Sequence, residues 1–75
     1  MITTLHMIEV FKTNVQEVSG AQKIIALLLE HFPGYKINFD LHDCDKILRL
    51  EGEMIPVSKV ISVVKENGYT CSVLD

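Results

Sequence analysis

The sequence predicts an α+β domain in which a four-stranded antiparallel sheet carries two helices on one face. Three observations carry that expectation. Two stretches repeat apolar residues at three-and-four spacing, the mark of a helix with one buried side. Four shorter stretches alternate or are rich in β-branched and aromatic residues, as strands are. Pro33-Gly34 and Asn67-Gly68 stand after the two helical stretches, where helices stop.

Residues 5–12, Leu-His-Met-Ile-Glu-Val-Phe-Lys, read as the first strand. Alternation puts Ile8 and Val10 on one side and Met7, Glu9 and Phe11 on the other. Residues 13–18 break the pattern and form a connection. The first helix presents Ala21, Ile24, Ile25, Leu28, Leu29 and Phe32. Asn14 with Glu17 and Ser19 with Gln22 both fit a capping box, and Ser19 is the expected start. Residues 35–42 alternate cleanly, with Ile37, Phe39 and Leu41 inward and Asn38, Asp40 and His42 outward. Asp43-Cys44-Asp45 is the turn of a hairpin, and Lys46 to Gly52 returns with Leu48 and Leu50 inward. Pro56 suits the first position of a second helix with Val57, Val60, Ile61 and Val64 as its buried stripe. Tyr69 to Leu74 is the last strand.

The order strand, helix, strand, strand, helix, strand contains two interleaved crossovers, and such crossovers are right-handed in nearly all cases. That gives the ferredoxin-like βαββαβ sandwich as one domain over residues 1–75. The end of the first strand, the hairpin turn and the loop before the last strand then meet at one end of the sheet.

Composition excludes several functions. With 75 residues there is material for one core, and 48% hydrophobic residues are too many for a disordered chain. No apolar run approaches the roughly 20 residues that span a bilayer. The opening MITTLHMIEV has no basic segment and carries Glu9, so a secretory signal is not expected and the cytoplasm is. The seven Lys and Arg side chains form no cluster against ten Asp and Glu, which argues against nucleic acid as a partner. Cys44 and Cys71 are far apart and are expected to be free thiols. His6, His31 and His42 share no ligand spacing. No nucleophile stands beside a base, and residues 13–20 lack the Arg that acylphosphatase-like enzymes of this topology place after the first strand, so no enzyme is expected.

Several local sequences resemble one family. Phe11-Lys12-Thr13-Asn14 precedes a loop, Phe32-Pro33-Gly34 closes the first helix, Asp45-Lys46-Ile47-Leu48 opens the third strand, and Lys65-Glu66-Asn67-Gly68-Tyr69 closes the second helix. Together with the element order, over about residues 7–74, they resemble the heavy-metal-associated, metallochaperone-like domains. The resemblance implies a soft-metal site built on a C-x-x-C at the start of the first helix, where two thiolates grip one ion beside the helix N-terminus. The equivalent positions here are Glu17 and Gly20, or Val18 and Ala21 one residue on, and neither pair supplies a cysteine. The family's ligands therefore transfer to no residue, and neither metal nor other cofactor is expected.

Two functions draw on sequence features at this level, and a third, a small-molecule sensor like the ACT domains of the same topology, rests on topology alone. One is a non-catalytic module for dimerisation, docking or regulation, acting through the open sheet face or an edge strand, with Met7 and Phe11 projecting on that face among Asn38, Asp40, Arg49 and Glu51. The other is a divergent metal binder or metal-trafficking protein using Cys44 with the nearby carboxylates Glu17, Asp43 and Asp45. The plain reading of that acidic turn is a solvated loop whose Asp side chains bond their own backbone.

Overall fold

The computed structural model describes residues 6–74, so the expected strand start at Leu5 lies outside the described residues. Six elements follow in order: β1 (Met7–Thr13), α1 (Val18–His31), β2 (Lys36–Asp40), β3 (Ile47–Gly52), α2 (Val57–Glu66) and β4 (Cys71–Val73). The strands form one open antiparallel sheet in the order β2-β3-β1-β4. This is the ferredoxin-like α+β fold that the sequence predicts.

Register settles which face of the sheet is covered. Phe11 lies opposite Leu48, and Leu48 opposite Phe39, so all three share a face. Leu50 lies between Ile37 and Glu9 on that same face. Phe11, Leu48 and Leu50 are fully buried, and they pack with Ile24 and Leu28 of α1 and Val60, Val63 and Val64 of α2. The placement of Met7 and Phe11 on the open face is thus overturned: Ile8 and Val10 project there instead. β1 offers apolar residues on both sides, so its own alternation leaves the choice open. Its neighbour β3 decides, because Leu48 and Leu50 are apolar on one side only and Arg49 and Glu51 hold the other.

Helix α1 begins earlier than the Ser19 cap predicts. Glu17 is the N-cap, in extended backbone, and its carbonyl accepts the Ala21 N–H at 3.0 Å. Its side chain caps nothing, and Asn14 is engaged elsewhere. The other end stops as expected: Phe32 N–H donates to the Leu28 carbonyl and Gly34 takes φ +89°. Ile25 and Leu29, expected in the core, sit toward its margin, with Leu29 exposed.

Helix α2 follows Pro56, which is its N-cap and whose carbonyl accepts the Lys59 and Val60 N–H groups. Gly68, at φ +91°, closes it; Gly68 N–H donates to the Lys65 carbonyl and Tyr69 N–H to that of Val64. Strand β4 is shorter than residues 69–74: Tyr69 and Thr70 belong to the loop before it. Strand β2 likewise ends at Asp40, whose Oδ1 accepts the His42 N–H and turns the chain. His42 therefore leaves the strand pattern that would have sent it to the open face. No helix among the described residues is long and apolar enough to cross a membrane.

Candidate functional site

The three loops do meet at one end of the sheet, and hydrogen bonds tie them. Thr13, the last residue of β1, is buried. Its N–H donates to the Asp45 carbonyl at 3.0 Å, its hydroxyl donates to the Lys46 carbonyl at 2.6 Å, and the same oxygen accepts the Val15 N–H at 3.2 Å. Asn14 Oδ1 accepts the Thr70 N–H at 2.8 Å, joining the loop after β1 to the loop before β4. Val15 is fully buried beneath this joint. The connection after β1 is thus pinned at its start, where the Thr13 and Asn14 side chains both have protein partners.

The hairpin turn is equally self-contained. Asp43 Oδ1 accepts the Asp45 N–H at 2.8 Å, and the Asp43 carbonyl accepts the Lys46 N–H at 3.0 Å. Lys46 adopts φ +46°, an uncommon conformation for a residue with a side chain. The surrounding bonds hold it there, including one from Lys46 Nζ to the Leu41 carbonyl at 2.9 Å. Asp43, Cys44 and Asp45 bring one donor atom each to within 4.8 Å of one another, with Asp43 and Cys44 exposed. Glu17, joined to them in the sequence reading, is not part of this group. One thiol and two carboxylates are a mixed soft and hard set, and one carboxylate oxygen already serves as an acceptor for the turn.

The positions that the resemblance sets against a cysteine pair do not fit a soft metal. Glu17 offers only hard oxygen. Gly20 is buried, and a Cβ there would lie 2.4 Å from the Tyr69 hydroxyl and 3.3 Å from its ring carbon. Tyr69 occupies the space a second ligand would need. One residue on, Val18 is exposed and Ala21 is buried, and neither has a donor atom.

The two thiols differ. Both are free; Cys44 is exposed and Cys71 is buried in β4 opposite Thr13. Burial pushes the Cys71 thiol from 9.0 up to about 11, against a smaller opposing pull from Lys65. Cys71 is a packed strand residue with little thiolate character.

The open face carries the remaining candidates. Across the sheet its rows read Lys36–Glu51–Ile8 and Asn38–Arg49–Val10. Ile8 and Leu74 are exposed, and Leu74 N–H donates to the Val10 carbonyl at 2.9 Å, which sets it beside Val10. Glu51 accepts from Arg49 at 3.1 Å and lies 2.5 Å from His6 Nε2. The hydrogen bond from His6, aided by Arg49, holds the Glu51 carboxyl below its ordinary 4.5. The single Arg of the chain is thus tied to a structural partner. His6 precedes β1, His31 ends α1 and His42 follows β2, so the three histidines lie in separate segments.

At the sheet edges and the far end, the structure adds two features that local sequence did not announce. A Cβ on Gly52 would lie 2.6 Å from two carbons of the Tyr35 ring, so that ring lies directly against the glycine. A groove of about 360 Å³ runs between α1 and the edge strand β2, lined by Val18, Ala21, Gln22 and Ile25 on one side and residues 38–42 on the other. The chain matches no family model, and no curated protein matches it.

Proposed function

We propose that this chain is a non-catalytic, heavy-metal-associated-like domain that does not use soft metal and acts as a protein-interaction module. The observation that carries this reading is the loop end. Where a metal carrier has two thiolates, this chain has a carboxylate and a buried glycine covered by Tyr69, next to a hydrogen-bonded joint of Thr13, Asn14 and Thr70. The core that supports such a loop is complete, with Phe11, Leu48 and Leu50 fully buried. The interaction reading draws on the open sheet face, where Ile8, Val10 and Leu74 sit among Asn38, Arg49 and Glu51.

Titration of the purified chain with copper(I) and with zinc under reducing conditions tests it. The expected result is no tight one-to-one complex with either ion; a tight one would overturn the reading.

A second reading draws on Asp43, Cys44 and Asp45, whose donor atoms approach one another in the hairpin turn. It makes the chain a divergent metal binder. Under it, replacing Cys44 by Ser abolishes binding, and unchanged affinity in Cys44→Ser rules it out.

A further inference from the structure

Strand β2 is an edge of the sheet, and no strand among the described residues pairs with its outer side. It is five residues long, Lys36-Ile37-Asn38-Phe39-Asp40, without proline. Edges of this kind template pairing with another chain unless something blunts them. The opposite edge, β4, has only three residues.

The sequence of β2 reads as complementary to itself when reversed. Paired antiparallel about Asn38, Lys36 meets a second Asp40, Ile37 meets a second Phe39, and Asn38 meets its own copy. Residues directly opposite in an antiparallel pair share a face. In this register the two charged pairs fall on the open face and the two apolar pairs on the helix-covered face. The cover extends onto α1. Val18, Gln22, Ile25 and Leu29 follow one another at spacings of four, three and four, which is a single stripe. It stands apart from the stripe of Ala21, Ile24 and Leu28 that fills the core. Val18 is 64% and Leu29 39% exposed, and Val18, Gln22 and Ile25 face the β2 edge across the groove.

We infer that the partner of this edge is a second copy of the chain, joined β2 to β2 about a two-fold axis at Asn38 into a continuous eight-stranded sheet. A two-fold axis uses the same patch on both subunits, which is what a self-complementary strand provides. The Lys36–Asp40 pairs contribute little affinity in water, but they select this register over a slip of two residues, which leaves both charges unpaired. The outer α1 stripes approach across the axis and cover the junction. The inference names the partner within the interaction reading and rests on that reading.

Analytical ultracentrifugation of the whole chain, alone and as charge variants, tests it. The wild-type chain sediments as a dimer. Lys36→Asp and Asp40→Lys each replace two attractions by two repulsions, and each weakens the dimer by at least about tenfold. The double variant K36D/D40K restores it, and an equimolar mixture of the two single variants forms a heterodimer. Asp40 also accepts a hydrogen bond from His42, so K36D, which spares that bond, separates lost pairing from a disturbed turn. A chain that stays monomeric overturns the inference. So does a dimer indifferent to both charge variants but dissolved by Val10→Asp, which instead puts the contact on the open face and keeps the interaction reading. Metal titration fails or succeeds separately, so failure of the interaction reading is distinct from failure at this edge.

Discussion

The two faces of the sheet are built from residues that look alike in β1 and behave differently. Phe11 and Val10 are neighbours in the chain, yet Phe11 is fully buried under the helices while Val10 is half-covered on the open side. The difference is not in hydrophobicity but in company. Phe11 lies in a row with Leu48 and Phe39, Val10 in a row with Arg49 and Asn38. A strand with apolar residues on both sides is assigned by its partner strand, and here the other side stays on the open face, with Ile8 exposed.

Emptying the covered side has the largest expected effect. Phe11→Ala should cost about 3–5 kcal/mol in denaturant melts, the range for a large buried aromatic. Val10→Ala on the other face should cost under about 1 kcal/mol. Similar losses at the two positions would mean that the faces are not distinct.

The glycines of the covered side come next. Gly52→Ala must push the Tyr35 ring away from a 2.6 Å contact, and overpacking of that kind costs about 1–3 kcal/mol by the same melts. At Gly20, alanine gains about 1 kcal/mol of helix propensity but meets the Tyr69 hydroxyl at 2.4 Å. A cycle of Gly20→Ala with Tyr69→Phe should show favourable coupling of about 1 kcal/mol, with alanine better tolerated beside Phe. No coupling would mean that the ring moves freely.

The cysteines sharpen the contrast chemically. At pH 8 a thiol-directed alkylating reagent followed by mass spectrometry should modify Cys44 well before Cys71. Because burial raises Cys71 to about 11, the unfolded thiol ionises first above its ordinary 9.0. Its contribution to stability is full below pH 9 and is lost as pH rises toward 11.

The smallest effect belongs to the open face. The Glu51 carboxyl is lowered, so its favourable contribution is complete above its ordinary 4.5 and is lost as pH falls through its folded value. Glu51→Gln should remove that acid dependence from the carboxylate titration followed by NMR, with little change in the melting midpoint at neutral pH.

The element order, both helix stops and the meeting of three loops were legible in the sequence because glycine, proline and strict alternation encode them locally. The alternation read over residues 35–42 placed Ile37 and Phe39 correctly, although the strand ends at Asp40. What was not legible depended on long-range partners. The face of β1 was set by Leu48 and Leu50, some 40 positions away. The α1 start is expected at Ser19, whereas Glu17 is the N-cap through its backbone alone; its side chain caps nothing, so no capping box marks it in the sequence. At the candidate site, the absence of a cysteine pair was visible at once. The occupation of its place by Tyr69 was not, since Gly20 and Tyr69 are joined only by the fold.

That ring has a consequence for how such a domain can change over time. Grafting cysteines onto positions 17 and 20 supplies the donors but sets the second one into space the Tyr69 side chain already fills. The two substitutions are therefore epistatic with a third. A designer who grafts a soft-metal site there must move or replace the Tyr69 side chain as well, and each single step disturbs the Gly20–Tyr69 packing without completing the ligand set. Three coordinated changes, rather than two, separate this chain from a cysteine pair at that place.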